Sequence, residues 1–148
     1  VAVRSDVFPG GRVYYCEHRT PELVWRPEWQ SHGNGASSMP EFVIVSNDHE
    51  QEAGDFGRLL NSDVSGSSGC LAVTYQGGQL TLMSPASYTE RYGAAASPMN
   101  GRNSIFGALV FRTDSLDKAR ASGTPAIDEA NRVVFREGNF DSVLEFIG

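Results

Sequence analysis

Residues 42–48 read Phe-Val-Ile-Val-Ser-Asn-Asp, residues 108–114 read Ala-Leu-Val-Phe-Arg-Thr-Asp, and this repeated pattern predicts the fold. In both copies four further residues separate the aspartate from an alanine, Ala53 in the first and Ala119 in the second. Each copy is an apolar run of strand type followed by a segment with helical spacing. The two aspartates, Asp48 and Asp114, are 66 residues apart (114 minus 48). The chain therefore contains an internal repeat.

Each copy predicts a helix that begins directly after its aspartate. A short side-chain oxygen at Asp48 or Asp114 suits an N-cap, because it accepts hydrogen bonds from the free N–H groups of the first turn. Gln51 and Asp117 fall at the third helical position, where a capping box has its second member. Gly123 is expected to end the second helix.

Two strands are predicted to follow each helix. Residues 70–75 and 79–83 flank Gly77-Gly78, a strong hairpin signal, and residues 132–136 and 143–147 follow the second helix. Residues 85–103, between the copies, are expected to form an irregular crossover. The predicted fold class is α+β, with two β-α-β-β(β) modules, residues 40–85 and 104–148, that form one domain over residues 40–148. Their strands make a curved mixed sheet around a cleft.

Residues 1–39 are predicted to form an N-terminal strand and a proline-bracketed arm. The strand covers residues 11–18, where side chains alternate between two faces, and the arm is held extended by Pro21 and Pro27. Trp25 and Trp29 either anchor this arm on the sheet or line a pocket for an aromatic ligand. A strand without a helix of its own seeks another edge, so we expect a homodimer.

The composition excludes several classes of protein. The 148 residues carry a net charge of -6 with a pI of about 5.0, so there is no basic surface for nucleic acid. No apolar run approaches the roughly 18 residues of a membrane helix. Two cysteines, Cys16 and Cys70, do not support a disulfide framework and indicate a reducing compartment, so we expect a cytoplasmic protein.

The doubled module resembles the vicinal oxygen chelate superfamily, which includes glyoxalase I, extradiol dioxygenases and the fosfomycin and bleomycin resistance proteins. Residues 18–29, His-Arg-Thr-Pro-Glu-Leu-Val-Trp-Arg-Pro-Glu-Trp, and residues 32–36, His-Gly-Asn-Gly-Ala, resemble the glyoxalase-like domain family more closely. Gly33 departs from the proline usual in that family. An earlier module precedes this segment there, so the resemblance implies that the chain is a piece of a longer protein.

The resemblance also implies four positions from which the superfamily supplies metal ligands. They correspond to Glu41, Thr81, Gly107 and Glu145. Only the two glutamates are ligand types, and neither first-strand position has a histidine. We therefore expect no bound metal and no cofactor.

The predicted ligand-binding residues are those that strand alternation and the resemblance turn toward the cleft: Glu145, His18, Tyr14, Tyr75 and Glu41. Each has a plainer alternative. Glu41 suits a solvated strand entrance and Glu145 an outward-facing charge. His18 shares a strand face with Cys16, which is the pattern either of a thiolate–imidazole pair or of a buried thiol beside a turn-stabilising histidine.

The most favoured function is metal-free binding of a small molecule in the cleft between the modules. The alternative is a metal-dependent lyase, isomerase or dioxygenase, which superfamily resemblance alone supports. A third hypothesis is a regulatory or oligomerising part of a longer enzyme. The sequence leaves enzymatic activity open.

Overall fold

The structure, a computed structural model, describes residues 2–4, 6–8 and 13–148. The α-helices of these residues are α1 (Pro21–Val24), α2 (His49–Leu60), α3 (Pro85–Tyr92) and α4 (Leu116–Arg120), with 3-10 turns at Pro27–Trp29 and Gly93–Ala95. The strands are β1 (Ala36–Ser46), β2 (Val64–Ser67), β3 (Cys70–Tyr75), β4 (Gly78–Met83), β5 (Ser104–Thr113), β6 (Ile127–Asp128), β7 (Arg132–Glu137) and β8 (Ser142–Ile147). None of the described helices has the length and apolar content needed to cross a bilayer.

The eight strands form one curved mixed sheet in the order β2-β3-β4-β1-β5-β8-β7-β6. At its centre β1 pairs antiparallel with β5. On the far side of each central strand lies a parallel neighbour, β4 beside β1 and β8 beside β5. The order therefore reads the same from both edges, as a pseudo-twofold axis between β1 and β5 requires. This confirms the predicted α+β fold class with two repeated modules.

Each module also contains the additional strand that the sequence pattern leaves optional. In the first module this strand is β2, whose Val-Ser-Gly-Ser sequence is exposed throughout. In the second it is the two-residue strand β6. Both lie at an edge of the sheet and pair with one neighbour only. β2 has no buried apolar face because pairing holds it in place, whereas Ile127 of β6 also packs against the hydrophobic core.

The helices α2 and α4 cover one face of the sheet, called the outer face below. Ala53 and Phe56 of α2 pack against Ile44 and Leu82, and Ala119 of α4 is fully buried. Because side chains alternate along a strand, the neighbours of Ile44 in β1 point to the opposite, inner face. The repeated alanine of the sequence pattern thus marks where each helix approaches the sheet.

The crossover between the modules contains a helix, so the prediction of an irregular stretch at residues 85–103 is wrong. Ser84 caps α3 by accepting a hydrogen bond from the Ser87 N–H at 3.2 Å, and Pro85 occupies the first helical position. Tyr88 and Tyr92, one helical turn apart, are buried on the inner face of the sheet. Within this crossover, only residues 96–103 lie outside a helix or strand.

The predicted cap bonds of the two aspartates are not formed. Asp48 precedes α2, but its carboxylate accepts a hydrogen bond from Asn103 Nδ2 at 2.8 Å and none from the helix backbone. The cap of α4 is Ser115, whose hydroxyl oxygen accepts from the Lys118 N–H at 3.4 Å. Asp114 instead accepts from Lys118 Nζ at 3.1 Å. Ser115, one residue after Asp114, thus has the cap geometry that Asp114 lacks.

The N-terminal segment also differs from its prediction as a strand over residues 11–18. Residues 11 and 12 lie outside the described residues, Tyr14 makes one isolated bridge to Ala2, and residues 15–18 have no regular structure. Phe8 and Val13 instead join the apolar cluster around α2 on the outer face. The alternating pattern of residues 13–18 therefore does not produce a strand of the sheet, and of these residues Val13 packs in the cluster around α2.

Replacing Ser84 by alanine tests the observed start of α3. The S84A variant loses a cap bond, so we expect the free energy of unfolding to fall by about 1 kcal/mol. The D114A variant loses only an exposed pair with Lys118 and should fall by less than half as much. Urea denaturation of both variants measures the difference. An equal loss would contradict the caps described here.

Candidate functional site

The register of the sheet brings Glu41 and Glu145 to neighbouring places on the inner face. Val110 of β5 pairs with Glu41 of β1 on one side and with Glu145 of β8 on the other. All three therefore lie in one row across the centre of the sheet. Two of the five predicted ligand-binding residues are thus brought together, although a strand lies between them.

Arg91 of α3 binds both carboxylates. Its Nη1 donates to Glu41 Oε1 at 2.8 Å, and its Nη2 donates to Glu41 Oε2 at 2.9 Å. The same Nη2 also donates to Glu145 Oε2 at 2.7 Å. The pair with Glu41 is bidentate, the geometry in which a guanidinium and a carboxylate bind most strongly.

Two further side chains complete the surroundings of Glu145. The Tyr92 hydroxyl donates to Glu145 Oε2 at 2.7 Å, and Arg132 Nη1 lies 3.6 Å from Glu145 Oε1. The Arg132 guanidinium also donates to the backbone carbonyl of Arg91 at 3.3 Å. The side chain of Glu145 is only 4% exposed, so these groups replace water as its partners.

The electrostatics of this cluster keep Glu41 ionised. Burial alone would raise the pKa of Glu41, but hydrogen bonding and charge attraction from Arg91 oppose it. Hydrogen bonds from Thr81 and Gln79 act in the same direction, and together these effects lower the pKa of Glu41 below its usual value. Neighbouring positive charge and hydrogen bonds to the charged form thus outweigh desolvation.

Tyr92 and Arg91 stay in their ordinary protonation states. Burial is the main reason that the pKa of Tyr92 is raised, and the negative charge of Glu145 raises it further against the opposing charge of Arg91. Burial would lower the pKa of Arg91, yet its hydrogen bonds to Glu41 and the negative charges of Glu41 and Glu145 raise it. Tyr92 is therefore a neutral donor, and Arg91 a permanent cation.

The other two positions that the resemblance assigns to metal ligands are closed. Thr81 is buried, and its hydroxyl oxygen accepts from Gln79 Nε2 at 3.1 Å. A Cβ at Gly107 would lie 2.6 Å from Val45 Cγ2 and 3.0 Å from the Tyr88 ring. The Tyr88 hydroxyl also donates to the Gly107 carbonyl at 2.8 Å. No side chain longer than glycine fits there without moving the core.

These residues do not fit a divalent metal ion. Both carboxylates are already paired with arginine, and Thr81 and Gly107 provide no further strong ligand. Among residues 2–4, 6–8 and 13–148, no group of three or more His, Cys, Asp or Glu side chains is placed to hold a metal. In place of a metal the inner face carries the guanidinium of Arg91.

The remaining predicted ligand-binding residues lie away from this cluster. Tyr14 and His18 are exposed in the N-terminal segment, and the His18 ring contacts Trp25 edge-on with 6.0 Å between centroids. Tyr75 shares its strand face with Val73, which packs on the outer face. The structure thus does not bring Tyr14, His18 and Tyr75 into one cleft with the two glutamates.

Sequence reasoning missed Arg91, Tyr92 and Arg132. A signal for the first two was present, because Ser84-Pro85 is a helix start and Tyr88, Arg91 and Tyr92 follow at helical spacing. Such spacing places these three side chains on one helix face. Arg132, at the start of a predicted strand, carried no signal of its own.

Comparisons with known proteins identify the fold and nothing finer. No protein-family model matches the chain, and no curated protein matches its sequence. Among solved structures, methylmalonyl-CoA epimerase from Mycobacterium tuberculosis is 15% identical, with 79% of this chain and 91% of that chain covered and a TM-score of 0.53.

A glyoxalase/bleomycin resistance protein/dioxygenase from Nocardioides is 17% identical, with 85% of this chain and 91% of that chain covered. Its TM-score of 0.36 is too low to add to the argument. The likeness to the epimerase extends over most of both chains. The chain therefore has the glyoxalase/bleomycin resistance-like fold.

Proposed function

We propose that this protein is a metal-free binding module that holds a small molecule at the exposed edge of Arg91, where α3 covers the inner face of the sheet. The observation that carries the proposal is the Arg91 guanidinium shared by Glu41 and Glu145. Arg132 supplies a second positive charge beside Glu145. Arg132 also donates to Glu129, from Nε at 2.8 Å and from Nη2 at 3.1 Å. Arg91 is therefore the main positive charge that opposes metal binding by Glu41 and Glu145.

The exposure of the cluster supports a ligand at the Arg91 end. The Arg91 side chain is 24% exposed, whereas Glu145 is almost completely buried. The three hydrogen bonds to the carboxylates use three of the five N–H groups of a guanidinium. The remaining N–H groups suit an acceptor oxygen, such as that of a carboxylate or carbonyl compound.

The alternative, a metal-dependent lyase, isomerase or dioxygenase, needs a metal with an open coordination position. Its ligands would have to come from Glu41 and Glu145, and each of these is already bound by arginine. No contact among the described residues favours this alternative. Metal-free binding therefore remains the proposed function.

A metal titration tests the proposal through Arg91. Wild-type protein should show no change in melting temperature with 10 mM Mg²⁺ or Mn²⁺. The R91A variant should unfold more easily by about 3 kcal/mol, because Glu41 loses its arginine partner and Glu145 keeps only Tyr92 and the more distant Arg132. These carboxylates, which converge on one nitrogen atom in the wild type, should then bind a divalent ion. With a Kd on the order of 1 mM, 10 mM metal adds about 1.4 kcal/mol, or about 4 °C.

The double variant E41Q/R91A is the matched control for this experiment. It lacks both the guanidinium and one carboxylate, so added metal should no longer raise its melting temperature. Stabilisation of the wild-type protein by stoichiometric metal, lost in E145Q, would overturn the proposal and favour the metal-dependent enzyme.

A ligand screen tests the proposed binding site directly. Acetate, propionate and malonate are titrated against the Arg91 Nε–H signal in two-dimensional NMR, with the corresponding amides as matched neutral compounds. We expect saturable shifts that are larger for the acids than for the amides. The R91K variant keeps the charge without the planar fork, and the backbone amide signals of α3, followed in the same spectra, should lose the response that they show in the wild type. Shifts at other sites with none at Arg91 would contradict the proposal.

Acid should weaken the fold through Glu41. A carboxyl group whose folded pKa is lowered contributes stability that is complete above its unfolded pKa, 4.5 for glutamate, and is lost as pH falls through the folded value. The stability difference between wild type and E41Q should thus be constant near pH 7 and shrink below about pH 4.5. Urea unfolding from about pH 7 to about pH 3 measures it. E90Q, at an exposed residue of α3, should follow the wild-type profile.

The homodimer and the cytoplasmic location expected from the sequence stay predictions. Exposed aromatic residues on the described surface, such as Phe106 and Phe140, are consistent with a partner. Their presence does not select a second copy of the chain over another protein.

A further inference from the structure

A second candidate site lies in the proline-bracketed arm, away from the inner-face cluster. Here α1, the 3-10 turn Pro27–Trp29 and the start of β1 enclose a groove of about 420 Å³. That volume is within the usual range for small-molecule sites, roughly 300–1,000 Å³. The residues that characterise this groove, called the tryptophan groove below, are Trp25, Arg26, Trp29, His32, Met39 and Phe111.

The two tryptophans do not serve to anchor the arm. Trp25 is 62% exposed and Trp29 is 58% exposed, and neither α1 nor the 3-10 turn contains a buried residue. A large aromatic side chain normally contributes to stability by burial, so two such side chains left open to water point to recognition. The alternative that they fasten the arm to the sheet is therefore not supported.

The groove is held in shape by the backbone. The Trp25 N–H donates to the Pro21 carbonyl at 2.8 Å, and the Trp29 N–H donates to the Arg26 carbonyl at 2.9 Å. Pro21 and Pro27 fix the first residue of each turn. The backbone that carries the two indole rings is thus positioned before any ligand arrives, which reduces the entropy lost on binding.

The charge of the groove favours an anion. The chain has a net charge of -6, yet the residues that line this groove include Arg26 and no carboxylate. Arg26 stacks over the Trp29 ring, with its central carbon 4.7 Å from the ring centroid. It also pairs with Glu28, but both side chains are about half exposed, so this ion pair is weak and a ligand carboxylate can replace Glu28.

We propose that the tryptophan groove binds a planar aromatic anion, with its ring against the indoles and its carboxylate on Arg26. The indole rings supply the aromatic surface for stacking, and the neighbouring Arg26 guanidinium supplies the positive charge for the carboxylate. The tryptophan groove is separate from the inner-face cluster, and none of Glu41, Arg91 and Glu145 lines it.

The chain itself provides the probe for this site, because Trp25 and Trp29 are its only two tryptophans. Their indole N–H signals in two-dimensional NMR therefore report on the groove alone. Titration with 2-naphthoate should shift both signals saturably. Naphthalene-2-carboxamide, which lacks the charge, and cyclohexanecarboxylate, which lacks the aromatic ring, should each bind about tenfold more weakly.

Variants separate the two contributions to binding. R26Q should bind the acid and the amide equally, whereas W29A should bind both more weakly and W29F should retain most of the affinity. R58Q removes an exposed arginine of α2 outside the groove and serves as the control with unchanged affinity. All these positions are exposed, so the fold tolerates the substitutions.

Three results would overturn the proposal. The first is no shift of the indole signals at millimolar 2-naphthoate, and the second is equal affinity for acid and amide in the wild-type protein. The third is movement of the indole signals when the free protein is diluted, which would mean that a second copy of the chain covers the groove.

Discussion

The interior of this protein depends on the contact between Arg91 and two glutamates. Glu41 and Glu145 face each other across β5, and moving such carboxylates out of water costs several kcal/mol for each ion. The guanidinium of Arg91 offsets this cost by hydrogen bonding to both. Because Arg91 belongs to α3, the same contact fixes where the crossover helix lies, and the tyrosines of that helix fill the rest of the inner face.

The chemistry of this contact differs from that of a metal ion at the same place. A divalent ion keeps open coordination positions, at which it polarises a substrate or activates water. A guanidinium neutralises carboxylates through fixed hydrogen bonds and leaves N–H donors at its edge. The edge of the Arg91 guanidinium is thus compatible with recognition of an acceptor oxygen. The arginine partners of Glu41 and Glu145 occupy the lone pairs that a metal would need.

Most of the fold was predictable from sequence, and the deciding part of the site was not. The repeat at Asp48 and Asp114 gave the modules, and counting from it placed Glu41 on the central strand where the structure brings it near Glu145. The positions of the edge strands β2 and β6 were not predicted, because a strand that pairs at the edge of a sheet needs no apolar pattern. Arg91 was missed although Ser84-Pro85 signals a helix start, because the helix has only eight residues and the glycines and proline that follow it indicate a loop.

The pseudo-twofold symmetry of the sheet also explains why the asymmetric parts of the chain carry the candidate sites. Symmetry makes Glu41 equivalent to Gly107, and Thr81 equivalent to Glu145, so each module alone would offer similar positions. The crossover breaks this equivalence, since the missing side chain at Gly107 admits Tyr88 and brings Arg91 over the two glutamates. The N-terminal arm has no counterpart in the repeat. Each candidate site therefore depends on a segment that the repeat does not contain, the first on Arg91 of the crossover and the second on the tryptophans of the arm.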